Sequence, residues 1–212
     1  FLERTRNGDN EIILANLLRE IGIISPRTSK VDIILNGKKI KMLIQEKAAK
    51  ELLESLNRKE NFLFEGDERF LFSYKDYKGF QLEQISLSKI SNPELMSLGK
   101  NNTNIALEKF SNLQSIYMNH ANNNPTGYTL DWNKLSNTHK DLIQRWAHYE
   151  LLLYASNSFH ALRPHNRKFY LHPFYEGFEP VYFDGNVMSL EGEWMRLRPN
   201  FNAMPYLEIE HF

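Results

Sequence analysis

The chain has 212 residues, enough for one large domain or for two smaller lobes that share a cleft. Its 26 basic and 26 acidic side chains cancel, which excludes a global field that would recruit nucleic acid or an anionic membrane. The lack of cysteine excludes disulfides, thiolate metal sites and a cysteine nucleophile, and it leaves the compartment open. No apolar run approaches the length of a membrane span, so we expect no membrane span in this chain.

The first predicted element is a helix that begins after Asp9 or Asn10, either of which can cap its N-terminus. Apolar residues then recur at three- and four-residue spacing, which is typical of one helical face. These residues are Ile13, Leu14, Leu17, Leu18 and Ile21. Gly22 suits the left-handed position after a helix, and Pro26 prevents the helix from restarting.

A β-hairpin is predicted next, from the β-prone runs Val31–Leu35 and Ile40–Ile44. Asn36-Gly37 lies between them and is the strongest short hairpin signal that a sequence can carry. The polar connector Gln45-Glu46-Lys47 then leads into a predicted helix over 48–57. Its inward positions are Leu52, Leu53 and Leu56.

Two sets of acidic side chains are predicted to be solvated. Glu11 and Glu20 lie beside the apolar stripe of the first helix, so we interpret both as surface charges. The acidic segment Glu65-Gly66-Asp67-Glu68 could bind a cation or a basic partner, but an acidic surface turn is the favoured interpretation.

The middle of the chain is predicted to be mainly helical. Helical patterns cover 95–98 and 105–117, and a short packed turn follows at 130–135. The helix over 138–156 is predicted to be the longest and to deliver the chain to the segment that carries the functional signal. The inward positions of the two longer helices are Leu107, Phe110, Leu113, Ile116 or Tyr117, and Leu142, Ile143, Trp146, Tyr149, Leu152 and Leu153.

That functional signal lies in residues 157–186. His160, Arg163, His165 and Asn166 fall within seven positions of one polar loop. A histidine can transfer protons near neutral pH, and an arginine can hold phosphate oxygens. The loop therefore carries candidate groups for catalysis on a phosphorylated ligand.

A predicted hairpin follows this loop and ends in a carboxylate. The aromatic pair Phe169-Tyr170 is predicted to pack under the loop, and the β-prone run Val181–Phe183 precedes Asp184-Gly185. A strand fixes the direction of the carboxylate and a glycine lets the backbone turn sharply, which is a common way to build a site for a phosphate and its metal. Protein kinases place a catalytic loop before an Asp-Phe-Gly segment in this order. Asp-Gly is also an ordinary turn dipeptide, so a plain turn stays open as an alternative.

Several motifs, taken together, resemble the spore coat protein H (CotH) kinase family. The match covers about residues 4–70 and 139–190, with its motifs in matching order. In the first part the motifs are Arg19-Glu-Ile-Gly-Ile-Ile-Ser-Pro-Arg27, Leu35-Asn-Gly37, Gln45-Glu46-Lys47, Lys50-Glu-Leu-Leu-Glu54, Asn57-Arg-Lys-Glu60 and Glu65-Gly-Asp-Glu68. In the second part they are His160-Ala-Leu-Arg-Pro-His-Asn-Arg-Lys-Phe-Tyr170, Glu179-Pro180 and Phe183-Asp-Gly185.

The resemblance implies an α+β, protein kinase-like fold with two lobes, which binds ATP with Mg²⁺ and phosphorylates a protein substrate. Residues 1–46 would be the remnant of a small lobe that lacks its first strands, and 47–212 a helix-rich large lobe with the catalytic-type loop at 157–186. It also implies a bacterial protein, for which the cell surface, the periplasm or the spore coat are compatible locations.

The resemblance assigns roles to individual residues. Asp184 and Asn166 would hold the metal, and His160 or His165 would act as the base, touch substrate or bond within the loop. Arg163 and Lys168 would hold phosphate oxygens or pair with Asp184 when no metal is bound. The connector Gln45, Glu46 and Lys47 would hold the adenine, mainly through its backbone.

Two departures from the kinase pattern shape the expected activity. The chain opens at the helix that should follow the phosphate-covering hairpin, so we expect the phosphate-binding lysine upstream of Phe1 or absent. No Asp or Glu occurs between Glu150 and Glu176, and Ala161 stands five residues before Asn166, where a kinase carries its Asp base. A histidine base or an inactive pseudokinase, which binds nucleotide or protein without phosphoryl transfer, would each account for this.

Two further hypotheses complete the predictions. A zinc hydrolase could use His160, His165 and Asp184, although Pro164 disrupts the helical spacing that zinc sites usually show. Apolar strand positions such as Ile33, Leu35, Met42 or Ile44 would lose cover without the leading strands. We therefore expect self-association through this exposed edge.

Overall fold

The computed structural model describes residues 8–67, 87–123 and 129–187. These residues form an α+β fold of five α-helices, three 3-10 helices and six β-strands. The α-helices are α1 (Gly8–Glu20), α2 (Lys50–Ser55), α3 (Lys100–Asn123), α4 (Trp132–Leu135) and α5 (Lys140–Ala155). The strands are β1 (Thr28–Leu35), β2 (Lys38–Gln45), β3 (Leu63–Asp67), β4 (Leu87–Ile90), β5 (Lys168–Leu171) and β6 (Phe178–Val181). The 3-10 helices are Pro93–Leu98, Phe159–Leu162 and Pro164–Asn166.

Helix α1 confirms the first predicted helix and its C-terminal signal, but it begins at Gly8, so Asp9 and Asn10 lie inside the helix and do not precede it as predicted. Gly22 has a φ of +81°, and the Ile23 N–H donates to the Leu18 carbonyl at 2.9 Å, which closes the helix end. The predicted apolar stripe is split, because only Leu14 and Leu18 are buried. Ile13, Leu17 and Ile21 are exposed by 61%, 44% and 43%.

The predicted β1–β2 hairpin is confirmed as an antiparallel pair, in which Val31 faces Met42 and Ile33 faces Ile40. Asn36 and Gly37 have φ angles of +50° and +74°, as a tight primed hairpin turn requires. The alternation of a strand puts six apolar side chains on one face of this hairpin. They are Val31, Ile33, Leu35, Ile40, Met42 and Ile44, and none of them is fully buried.

A second, four-stranded antiparallel sheet has the order β4-β3-β5-β6, and Ile24 extends it by a parallel bridge to Val181. One face of this sheet packs on the main core, where Trp146 of α5 donates its indole N–H to the Phe178 carbonyl at 2.8 Å. The other face carries a smaller core, in which Leu52 and Leu53 of α2 contribute with Ile24. The sheet is therefore covered on both sides.

The helical predictions need three corrections. Helix α3 has 24 residues against 16 in α5, so the prediction that the helix at 138–156 is the longest was wrong. Leu107 was predicted to point inward, but it is 50% exposed, whereas Leu113 is buried. A helix was predicted over 48–57, but the observed helix α2 spans only Lys50–Ser55 and is therefore shorter at both ends.

The main core joins α1 to the helices of the predicted large lobe. Leu14 and Leu18 belong to the same buried cluster as Trp146 and Phe169. The division of the chain at residues 46 and 47 stays a prediction. Of the helices that the structure describes, none is long and apolar enough to pass through a membrane.

Candidate functional site

The polar loop after α5 is shaped by two short 3-10 helices, Phe159–Leu162 and Pro164–Asn166. Tyr117 of α3 donates its hydroxyl to the Pro164 carbonyl at 2.9 Å. Gly66 of β3 lies directly against the second turn, because a Cβ on Gly66 would stand 2.0 Å from the Pro164 oxygen and 2.6 Å from the His165 Cα. The loop is thus clamped between a helix and a strand that are remote from it in sequence.

A buried ion pair holds the same loop from beneath. Arg167 donates from Nη1 to Glu150 Oε1 at 3.2 Å and from Nε to the Leu162 carbonyl at 3.0 Å. Thr129 donates its hydroxyl to Glu150 Oε2 at 2.9 Å. Burial raises the pKa of Glu150, and Arg167 acts against this rise. Sequence reasoning missed this pair, although Glu150 lies four residues after Trp146 and three before Leu153, on the buried side of α5.

Three of the predicted site residues, His160, Asn166 and Asp184, lie within contact distance of one another. His160 Nδ1 lies 3.0 Å from the Asp184 carbonyl oxygen, to which it can donate, and 3.6 Å from Asp184 Oδ2. Asn166 Nδ2 donates to the His160 carbonyl at 3.0 Å and lies 2.9 Å from His160 Nδ1. The amide nitrogen of Asn166 therefore faces His160, which turns its amide oxygen away from the histidine.

The ionisation of His160 is coupled to Asp184. The neighbouring Asp184 carboxylate raises the pKa of His160, although burial and the charge of Arg163 lower it in part. A protonated His160 would neutralise Asp184, and a neutral His160 would leave the carboxylate to a cation.

The backbone at Asp184 is unusual for a residue with a side chain. Asp184 follows β6 and has a φ of +50°, and its side chain is 17% exposed. Asp and Asn tolerate this left-handed conformation better than most residues, which is consistent with a tight turn at this point. The turn brings the carboxylate back toward His160 rather than along the direction of the strand.

The structure places Arg163 and His165 in the same loop. His165 is buried, and its ring lies 6.2 Å from the His160 ring with an edge-to-face orientation. Among the described residues no group of three or more His, Cys, Asp or Glu side chains is arranged to hold a metal ion. The zinc-site hypothesis for His160, His165 and Asp184 was therefore wrong.

Lys168 belongs to a row of charges that crosses three strands. Glu65 of β3 faces Lys168 of β5 and Lys89 of β4 in the sheet register, and it forms an ion pair with each. The Lys168 ammonium also lies 4.4 Å from the ring centre of Phe183, beside Asp184. The predicted acidic surface turn at 65–68 was wrong over Glu65–Asp67, which is the end of β3, and Glu68 lies outside the described residues.

In the connector Gln45-Glu46-Lys47, Gln45 is the last residue of β2, and Glu46 and Lys47 follow the strand. Hydrogen bonds join Gln45 and Glu46 to the start of the hairpin. The Glu46 N–H donates to the Arg27 carbonyl at 2.9 Å, and Gln45 Nε2 donates to the Thr28 hydroxyl at 3.3 Å. Lys47 is exposed. These two hydrogen bonds do not involve Asp184.

Glu11 and Tyr182 were missed by the sequence analysis. Glu11 was predicted to be solvated, but it is fully buried and accepts a hydrogen bond of 2.9 Å from the Tyr182 hydroxyl, whereas Glu20 is exposed as predicted. The sequence did indicate the burial of Glu11, because Glu11 lies three residues before Leu14 and seven before Leu18 and so falls on the buried side of α1.

Comparison with known proteins adds no relative. The chain matches no protein-family model, no curated protein and no solved structure to a significant degree.

Proposed function

We propose that the chain is the core of a CotH-like atypical protein kinase with a two-lobed, kinase-like fold, which transfers a phosphoryl group from ATP to a protein substrate. The observation that carries this proposal is the order of its parts. Helix α5 leads into the His160–Asn166 loop, the β5–β6 hairpin follows, and Asp184 then turns back to His160 at hydrogen-bond distance. Kinases arrange a catalytic loop and a metal-binding Asp in this order.

The oxygen donors of Asp184 and Asn166 suit Mg²⁺. Magnesium is usually held by one or two protein oxygens together with nucleotide phosphates and water, so it needs no cluster of three acidic or histidine ligands. When bound, the ion would neutralise charge on the transferring phosphate. Lys168 lies beside this position, paired with Glu65, and could turn from that carboxylate to a phosphate.

His160 is our candidate for the base, with His165 as the alternative. Proton transfer requires a group within reach of the acceptor hydroxyl, and His160 is only half-buried beside Asp184 and Asn166. Its raised pKa makes it a stronger base but keeps it protonated up to a higher pH. Phosphoryl transfer should therefore increase as the pH rises through the pKa of His160.

A titration with MgATP tests the proposal. Ligand at one hundred times its dissociation constant stabilises the folded state by about 2.7 kcal/mol, which should raise Tm by roughly 5–10 °C. Asp184→Asn should remove most of the magnesium-dependent part of this shift. Asp32→Asn in the β1–β2 hairpin makes the same change of charge on an exposed residue and is the matched control.

The titration should be run on the natural protein as well as on this chain. Equal MgATP affinity in the parent and in Asp184→Asn would mean that Asp184 only forms a turn. The absence of any MgATP binding to the parent would remove the kinase proposal.

A nucleotide-binding pseudokinase is the second candidate, and the lack of any acidic residue between Glu150 and Glu176 favours it. Transfer of labelled phosphate separates the two functions. In an active kinase, His160→Ala or His165→Ala should abolish transfer and leave MgATP binding intact. Binding of MgATP by a parent that transfers no phosphate to any protein or to itself would favour the pseudokinase.

A further inference from the structure

Three buried groups connect helix α1 with the turn that carries Asp184. The Tyr182 hydroxyl donates to Glu11 Oε1 at 2.9 Å. The Gly185 backbone packs directly against the same hydroxyl. Glu11 and Tyr182 are exposed by only 0% and 1%. A buried chain of contacts therefore runs from Gly185 through the Tyr182 hydroxyl to Glu11.

The fit of Tyr182 against the turn is close. A Cβ on Gly185 would stand 2.3 Å from the Tyr182 hydroxyl oxygen, so the hydroxyl occupies the space that any other residue would need. Gly185 is required here for lack of a side chain rather than for a left-handed backbone. The hydroxyl thus packs against this turn and limits the space in which the turn can move.

Asp184 stands between Tyr182 and Gly185 in a conformation that needs such support. Its φ of +50° is one that residues with a Cβ rarely adopt, and Asn186 has a φ of +47°. Burial raises the pKa of Tyr182 well above its ordinary value, and the carboxylate of Glu11 adds to this rise. The buried Tyr182 hydroxyl is therefore the group that packs against this turn.

We propose that Tyr182 is a positioning residue which, with Glu11 as its acceptor, holds the Asp184–Gly185 turn so that the Asp184 carboxylate points at the metal of the candidate site. The expected effect of Tyr182 on MgATP affinity rests on the proposed function, whereas its role in fixing the Asp184–Gly185 turn does not. Tyr182 acts through the backbone and makes no contact with substrate. Helix α1 thereby becomes part of the machinery that orients Asp184.

The hold on the turn is tested first, without any ligand. Tyr182→Phe removes the hydroxyl and keeps the ring. Tyr170→Phe is the matched control, because Tyr170 is equally buried and donates its hydroxyl to the Lys59 carbonyl at 2.7 Å, away from Asp184. Amide hydrogen exchange at Gly185, measured by NMR on the whole chain, should be at least about tenfold faster in Tyr182→Phe than in the parent or in Tyr170→Phe. Equal exchange at Gly185 in all three proteins would overturn the proposal.

The consequence for binding is tested with MgATP and with ATP in EDTA. Partners that orient a metal ligand typically contribute 10- to 100-fold in metal affinity, so Tyr182→Phe should weaken MgATP binding about tenfold or more. In Tyr182→Phe, the affinity for metal-free ATP and the Tm should match those of Tyr170→Phe. A general structural defect would instead lower both values. Glu11→Gln keeps an acceptor oxygen and should retain most of the MgATP affinity.

The outcomes separate the two proposals. A parent without MgATP binding would end the proposed function, while the Gly185 exchange rate would still decide whether Tyr182 holds the turn. Faster exchange at Gly185 with unchanged MgATP affinity would show that the turn does not position the metal ligand, and it would overturn the inference.

Discussion

The two hairpins of this protein have similar connectivity and very different surroundings. In β1–β2 only Thr28 and Leu43 are buried, and Ile34, Leu35 and Ile44 are 78%, 56% and 56% exposed. In β5–β6 every residue except Lys168 is buried. Hairpin formation therefore depends on turn chemistry and alternation, whereas the ability to hold a polar site depends on cover from both sides.

The largest contrast is expected for ion pairs beside the two hairpins. Arg167→Met leaves the Glu150 carboxylate buried without its cation, and breaking a buried pair in this way costs about 3–5 kcal/mol. Lys39→Met breaks the Lys39–Asp32 pair of the first hairpin, where both side chains are exposed, and should change stability by less than about 0.5 kcal/mol. Urea unfolding of both variants measures the difference, and equal losses would refute the comparison.

Glycine substitutions give the next largest difference. Gly66→Ala forces a Cβ into the backbone of Pro164 and His165, and we expect a loss of about 3 kcal/mol in the free energy of unfolding. Gly37→Ala meets no atom within 4 Å, so only its positive φ opposes the change and the loss should be about 1 kcal/mol. The same unfolding experiment compares them. A smaller loss for Gly66→Ala would mean that the loop can move away from β3.

The exposed face of the first hairpin should support self-association, as the sequence analysis predicted. Leu35→Lys combined with Ile44→Lys should lower the association constant at least about tenfold, because burying one such side chain contributes about 1.5 kcal/mol or more. Phe174→Lys in the turn of the second hairpin, where Phe174 is 71% exposed, is the matched control. Sedimentation at several concentrations measures the effect, and a parent that stays monomeric throughout would contradict it.

Sequence patterns predicted individual helices and strands better than they predicted which strands pair with each other. The β1–β2 hairpin was predictable because Asn36-Gly37 determines a local turn. Strand β3 was not, because Glu65 and Asp67 resemble a solvated turn until Lys89 and Lys168 are placed on the adjacent strands. These pairings join residues far apart in the chain, and no local pattern encodes them.

The candidate site was predictable in its members but not in its geometry. His160, Asn166 and Asp184 could be chosen by residue type and order, whereas the roles of Glu11 and Tyr182 depend on the packing of α1. Glu11 illustrates this. Its spacing placed it on the buried side of the helix, but a carboxylate is seldom buried without a partner. The partner, Tyr182, lies 171 residues away, so the sequence around Glu11 does not reveal it.

The smallest effect concerns pH and tests whether His160 and Asp184 interact as the structure shows. The bond to Asp184 raises the folded-state pKa of His160 above its ordinary value of 6.5. The interaction of protonated His160 with Asp184 therefore stabilises the folded state fully below about pH 6.5, and this stabilisation is lost as the pH rises through the higher folded-state pKa of His160. The site is partly exposed, so solvent screening keeps the contribution modest.

His160→Gln should remove the corresponding part of the dependence of stability on pH. The first hairpin contains no histidine, so Lys39→Met should keep the dependence of the parent. Urea unfolding between pH 5.5 and pH 8.5 (about one unit below and two above the ordinary histidine value) measures this for the three proteins. If Mg²⁺ binds Asp184 as proposed, it should compete with the protonated imidazole of His160 for the Asp184 carboxylate. In the parent, Mg²⁺ should therefore lower the apparent pKa of His160 measured by NMR, and the same pKa with and without Mg²⁺ would place the ion elsewhere.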